Sequence, residues 1–310
     1  LSELICEKDA MSLIPFDERD GQIWLDGKLV PWRDAKLHVL SHGLHYASCV
    51  FEGERVYDGT VFKLTEHSQR LIDSAALLDF EIPFSLEEID AATREVVAAN
   101  GIVDGYVRPV CWRGSEMMAV SAQLAKPRLA IATWAWPSYF SPETRLQGIR
   151  MTMAKWSRPA PNCAPTRSKA AGLYMICTLS KHAAEKEGFQ DALMLDHRGQ
   201  IAEATGANVF FVIDGALHTP TPDCFLDGIT RRTVIDLARA RGLKVIERAM
   251  LPADLARASE MFLTGTAAEV TPVASLDAHR FTVGAITRDL IADYDALTRG
   301  RYVTPALAAE

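Results

Sequence analysis

The 310 residues are 48% hydrophobic and 24% charged, an ordinary globular composition that is long enough for one large domain or two modest ones and needs no disulfide or metal to hold a core. A formal net charge of −7 gives no support to nucleic-acid binding, which shows as a basic patch or stripe. The six cysteines are scattered, without zinc-type spacing, and no apolar run reaches the ~18 residues of a membrane span, so a soluble cytoplasmic protein with free thiols is expected.

Glu3, Glu7 and Asp9 are wrong for a targeting signal, and Met11 is a plausible start, so residues 1–10 read as a disordered or added extension. Short strands are expected at Ile23–Leu25 and Leu29–Val30 around Asp26-Gly27. The run from Cys49 to Phe62 carries Asp58-Gly59 at its centre, a hairpin signal. Thr65 is positioned to cap a helix through Leu77–Leu78, and Ser85 with Glu87-Glu88 opens a second helix reaching Ala99. Strands follow at Gly105–Trp112 and Arg128–Trp136.

Polar, proline-containing 137–148 reads as a link between two halves. The second half is expected to hold a strand at Ile149–Trp156, a proline-rich loop, a helix over Ala171–Lys186 and strands at Ala192–Asp196 and Asn208–Ile213. A helix over Gly228–Arg241, a strand at Lys244–Glu247 and a helix over Gly284–Leu297 complete it. The elements mix without βαβ alternation, and no nucleotide-binding glycine signature is present. The fold class is therefore mixed α/β or α+β.

Alone, a lysine is ordinarily a solvated surface charge. Lys169 differs in its flanks: a proline-rich loop leads in, an apolar helix leads out, and Ser168, Ala170, Ala171 and Gly172 leave room for a bulky planar group against the amine. Such a setting suits a Schiff-base nucleophile. Glu203, among small and apolar residues, is either a capped turn residue or a buried acid with a cationic partner. Asp227-Gly228-Ile229-Thr230 opens a helix and Gly265-Thr266-Ala267-Ala268 is a small-residue turn; each resembles an anion cup, though plain N-capping explains either alone. Arg70 could add a charge-assisted contact to a phosphate. Tyr106 and Arg108 share one strand face and could grip a carboxylate, or form a surface pair. His38, His42 and His45 lack acid partners at ligand spacing, and Val39, Leu40, Leu44 and Tyr46 around them read as packed core, so no metal is expected.

In order along the chain, Ser41–Tyr46, Val50–Gly53, Glu66–Leu71, Tyr106–Pro109, Ala160–Asn162, Lys169–Tyr174, Gly228–Arg231 and Thr264–Pro272 resemble the class IV aminotransferases, most closely the branched-chain amino acid aminotransferases. The resemblance implies pyridoxal 5'-phosphate (PLP) fold type IV, with a smaller N-terminal α/β domain (11–138), a linker (139–147) and a larger C-terminal PLP-binding domain (148–310). It implies that Lys169 carries the cofactor and shuttles the proton, Glu203 pairs with the pyridine nitrogen, and Tyr174 bonds the ring's phenolic oxygen. Arg70, the Ile229 and Thr230 amides and Thr266 would hold the phosphate. Tyr46, Tyr106, Arg108 and the turn with Ala267 and Ala268 would receive substrate carboxylates, and Phe51 and Trp136 would line the side-chain pocket. It further implies a homodimer with Tyr46 reaching in from the partner, and transfer of the amine of leucine, isoleucine or valine to 2-oxoglutarate.

Two segments depart from the family pattern. Ala171-Gly172-Leu173 stands where Gly-Gly-Asn is usual before the tyrosine, and the second acid after Glu203 is replaced by Ala207. Three alternatives remain at this point: a D-amino acid or (R)-amine transaminase, an aminodeoxychorismate-lyase-like enzyme, and a non-catalytic ligand-binding protein of the same fold.

Overall fold

A computed structural model describes residues 14–136 and 147–304. The extension expected over 1–10 and, except for Gln147, the linker expected over 139–147 lie outside the described residues.

The chain builds two sheets in succession. The first comprises β1 (Gln22–Leu25), β2 (Lys28–Pro31), β3 (Cys49–Phe51), β4 (Glu54–Tyr57), β5 (Thr60–Val61), β6 (Gly105–Arg113) and β7 (Pro127–Ala135). Their order is β2-β1-β7-β6-β4-β5, with β3 also on β6, and every pairing is antiparallel. Asp58 and Gly59 both take positive φ (49° and 79°) between β4 and β5, the backbone that a two-residue hairpin turn requires. Helices α1 (His42–Tyr46), α2 (Leu64–Ala76) and α3 (Leu86–Ala99) belong to this half. Leu71 and Ala75 of α2 and Ile89, Ala92 and Val96 of α3 pack on Val56, Val107, Leu129 and Ile131 of the sheet.

The second sheet holds β8 (Ile149–Met153), β9 (Asp191–Leu195), β10 (Ile201–Ala204), β11 (Asn208–Ile213), β12 (Ala216–Pro220), β13 (Val245–Arg248), β14 (Ala258–Gly265), β15 (Glu269–Leu276) and β16 (His279–Arg280). It is mixed: β8 runs parallel to both β15 and β9, and β12 parallel to β13. Helices α4 (Met175–Lys186), α5 (Ile229–Ala240) and α6 (Ala285–Thr298) accompany it. All six residues of β11 are buried. Val209, Phe211 and Ile213 join one core, while Phe210 and Val212 join the other, under Val234 and Leu237 of α5 and Leu290 of α6. A sheet covered on both faces removes the polar alternation of a half-exposed strand.

Three expectations need correction. Thr65 does not cap α2, whose N-cap is Lys63 in a left-handed conformation; the Thr65 hydroxyl instead donates to Asp90 of α3 at 2.7 Å, tying the two helices together. The helix expected from Ala171 begins with a 3-10 turn over Ala171–Tyr174 and becomes α-helical at Met175. Val39, Leu40, Leu44 and Tyr46 are not core: they are 71%, 47%, 63% and 46% exposed, an apolar patch on the surface of this chain. The nearby histidines are engaged by backbone, His42 Nε2 with the Ala119 carbonyl and His45 Nε2 with that of Val39.

Candidate active site

Where the two sheets meet, a cleft is lined by Arg70, Lys169, Tyr174, Glu203, Ile229, Thr230 and Thr266 together. These seven residues come from a helix of the first sheet's half, a loop, a strand of the second sheet, the N-terminus of α5 and the turn after β14.

The backbone of Lys169 is fixed by the first sheet's half. Its amide donates to Ser74 Oγ of α2 at 3.0 Å, Ser168 Oγ donates to the Ser74 carbonyl, and the Phe51 amide donates to the Lys169 carbonyl. The amine therefore leaves a backbone that cannot swing freely. Lys169 Nζ donates to Tyr174 Oη at 2.8 Å, and both line the same cavity.

Glu203 sits in β10, buried on all four residues, rather than in a turn. Burial pushes its carboxyl up to about 7, against the pull of Arg158 and Lys169. Arg158 Nε lies 3.4 Å from Glu203 Oε1, and Asn208 Nδ2 donates to Oε2 at 3.3 Å. The alternative of a buried acid with a cationic partner is the one observed.

The anion cup at α5 is tightly built. Asn208 Oδ1 accepts from the Gly228 amide at 3.1 Å, and a Cβ on Gly228 would fall 2.2 Å from that oxygen, so any larger residue must displace Asn208 from the cup. The amides of Ile229 and Thr230 open the helix and carry its positive dipole end. Thr264 Oγ1, which also lines the cleft, is buried without a hydrogen-bond partner. Arg70 closes the other side. Its Nε and Nη2 make a bidentate pair with Glu52 at 2.6 and 2.8 Å, and Nη1 is not committed to that carboxylate. Glu52 is fully buried; burial would raise its carboxyl, yet Arg70 and His67 together drive it well below the usual carboxylate range. An orphaned hydroxyl, free amides and a braced guanidinium around one cavity form a cradle that fits a phosphate monoester.

Beside Lys169 stands Phe51. Lys169 Nζ and Arg108 Cζ lie 5.0 and 4.9 Å from its ring centroid, and Tyr174 meets it edge-on at 4.8 Å. Arg108 Nη2 donates to Tyr106 Oη at 3.4 Å, and Tyr106 packs on Trp136 at 5.6 Å. Ala267 and Ala268 line an adjoining pocket that shares Tyr174, Cys177 and Thr205–Ala207 with the cleft. Phe51, Tyr106, Arg108 and Trp136 do not line the cleft itself; Phe51 links Arg108 to Lys169, while Arg108 and Trp136 line a neighbouring pocket. Tyr46 lies outside the cleft too and stacks on His42 at 4.6 Å.

Sequence reasoning assigned no role to Glu52, Arg158 or Asn208. Glu52 stands within a segment that carries the family resemblance and Asn208 ends the one that departs from it, whereas Arg158, in Trp156-Ser157-Arg158 ahead of the proline-rich loop, had no such signal.

With this geometry in view, the comparisons with known proteins agree. The family model for amino-transferase class IV matches residues 49–276, and the chain belongs to that family of enzymes. Among similar proteins is the branched-chain-amino-acid aminotransferase of Pseudomonas aeruginosa, 41% identical over 291 residues, covering 92% of this chain and 95% of the relative. Among solved structures, a T.th. branched-chain amino acid aminotransferase with pyridoxamine 5'-phosphate superposes with a TM-score of 0.89 at 38% identity, covering 91% of this chain and 95% of that one. That of Thermoproteus uzoniensis with norvaline gives 0.87 at 34% identity over 91% and 96%. The fold is accordingly type IV among the PLP enzymes.

Proposed function

We propose that this enzyme is a PLP-dependent transaminase of branched-chain L-amino acids, passing their amine to 2-oxoglutarate and yielding branched 2-oxo acids and L-glutamate. The observation that carries the reading is the convergence of Lys169, Tyr174, Glu203 and the phosphate cradle on one cleft, with the Tyr106–Arg108 pair beside it. Bound PLP supplies the electron sink that acidifies the substrate Cα–H and carries the amino group between the two halves of the reaction.

Lys169 Nζ would hold the cofactor covalently and, once released, would move the proton at the substrate α-carbon. Tyr174 Oη, 2.8 Å from Nζ, orients that amine and donates to the ring's phenolic oxygen. The Glu203 carboxylate would accept a hydrogen bond from the protonated ring nitrogen. Arg70, the Ile229 and Thr230 amides and Thr266 bind the phosphate. Tyr106, Arg108 and the Ala267–Ala268 turn receive carboxylates, while Phe51 and Trp136 offer apolar walls to an aliphatic side chain and exclude water. A pure amine donor would leave Arg108 without a counter-charge, which favours amino acids over amines.

The same reading takes the two sheets with their helices as an N-terminal domain (11–138) and a larger C-terminal one (148–310). It places the enzyme in the cytoplasm, and no helix among the described residues is long and apolar enough to cross a membrane. The exposed patch of Val39, Leu40, Leu44 and Tyr46 supports a homodimer in which Tyr46 completes the partner's site.

Adding PLP should produce a visible absorbance band that borohydride fixes to the chain and that Lys169→Ala lacks. L-leucine and L-valine should bleach it rapidly, with D-alanine and (R)-1-phenylethylamine inert. Normal turnover by Lys169→Ala would sink the assignment, and the reverse donor order would move it to the D-amino acid or amine branch.

A further inference from the structure

A buried carboxylate can serve the ring nitrogen only if it stays an anion without taking the ring's proton for itself. Desolvation works against this at Glu203, which is 8% exposed and has its carboxyl pushed up to about 7. The charged and titratable groups around it are Arg158 from the segment after β8, Lys169 from the loop, Cys177 from α4, and Tyr174 and Arg70 on the cleft wall. Lys169 is the reacting amine, so its charge changes during turnover. A guanidinium keeps its charge throughout.

Arg158 is 3% exposed, and Glu203 is its carboxylate partner among the described residues. Its Nη1 donates to the Leu173 carbonyl and Cys177 Sγ, both at 3.4 Å, which fixes the guanidinium plane against the start of α4. Its Nε faces Glu203 Oε1 at 3.4 Å but forms no hydrogen bond there, so the contact acts through charge. Arg158 is also held from behind: its amide donates to the Leu195 carbonyl of β9, and it bridges to Asp196 in parallel register. The other carboxylate oxygen meets Asn208, which also accepts from the Gly228 amide at the anion cup. A buried arginine with this much support and one anionic neighbour is placed for that neighbour.

We propose that Arg158 is a positioning residue for the transamination. Its fixed guanidinium behind Glu203 keeps that carboxylate anionic and weakly basic, so the proton shared with the ring nitrogen of bound PLP stays on the ring. This rests on the proposed function for its cofactor, but the action of Arg158 on Glu203 exists without PLP. Removing an opposite charge at this range raises a carboxyl pKa by about 1–3 pH units.

The test compares Arg158→Gln, which keeps hydrogen-bonding capacity without charge, with Arg158→Lys, which keeps the charge. Infrared difference spectra of the full chain without cofactor follow the protonated carboxyl stretch of Glu203, identified as the band that Glu203→Gln removes. That titration should move up by about 1–3 pH units in Arg158→Gln and stay near the wild-type position in Arg158→Lys. With PLP added, the pH at which the visible band changes should shift in the glutamine variant, and cofactor should be held about tenfold more weakly at about pH 7.5, one pKa unit being a factor of ten. If Arg158→Gln does not fold, Arg158→Met takes its place in the comparison. A Glu203 titration unchanged by loss of the guanidinium overturns the proposal. A wild-type chain that stays colourless with PLP overturns the proposed function, while the infrared titration still decides what Arg158 does to Glu203.

Discussion

The grip on Arg70 is set one layer behind the cleft. Glu52, fully buried, takes two nitrogens of Arg70 and Nδ1 of His67, the last at 2.7 Å. Glu52→Gln leaves Arg70 without its counter-charge and should cost about 3–5 kcal/mol in denaturant unfolding at neutral pH. The sign of its pH dependence follows from the direction of its shift. A carboxyl lowered on folding contributes stability above its ordinary value near 4.5, and that stability is lost as pH falls below it. The gap between wild type and Glu52→Gln should therefore narrow on acidification below about pH 4.5; a gap independent of pH would mean the pair contributes no charge-based stability. Gly53 bears on substrate instead. A Cβ there would lie 1.9 Å from Tyr106 Oη, so Gly53→Ala must push the hydroxyl off Arg108. Loss of one charge-assisted contact, ~1.5 kcal/mol, predicts a KM for amino acid raised about tenfold. Unchanged steady-state kinetics would remove Tyr106 from the substrate's surroundings.

Local propensity explains most helices but not all of their ends. Helix α3 has the capping box written in its sequence: Ser85 Oγ accepts from the Glu88 amide, and the Glu88 carboxylate accepts from the Ser85 amide. Helix α2 does not, because Thr65 and Ser68 both spend their hydroxyls on Asp90. Helix α1 ends at Ala47 with φ 55° and ψ 25°. A left-handed conformation at an L-residue is costly, and glycine removes that cost against its own entropy. Ala47→Gly should raise stability by about 0.5–1 kcal/mol, read from the midpoint of urea unfolding. A loss of stability would show that the alanine methyl packs in a way that outweighs its backbone strain.

Across the molecule, Lys169 belongs to one half and its anchor to the other. Ser74, on α2, accepts from the Lys169 amide through its hydroxyl and from Ser168 through its carbonyl. Tyr57 of β4 donates to Glu269 of β15 at 2.7 Å, a second tie across the same seam. Ser74→Ala strips the acceptor from a half-buried amide and should cost about 1 kcal/mol. Because that amide belongs to Lys169, PLP should also leave faster on dilution, followed by the visible band. Equal release rates in the variant and wild type would mean that the remaining Ser168 and Phe51 contacts suffice to hold the loop.

Lys169, the α5 anion cup and the Tyr106–Arg108 pair were legible in the sequence because each depends on near neighbours: small flanks, amides at a helix start, alternation along one strand. Strands β10 and β15 were not legible. Both faces of the second sheet are covered, which erases the polar alternation, and short apolar segments give no period of their own. The partners that tune the site were hidden for a different reason. Arg158 meets Glu203, Glu52 meets Arg70, and Ser74 meets Lys169 only after distant segments have folded together. Sequence determines which groups can carry charge or a proton; whether burial leaves that charge paired, and with what, is settled by packing. The apolar patch around Tyr46 reads as core in sequence and stands exposed in the chain, because an apolar pattern records a preference to avoid water, not whether the fold covers it.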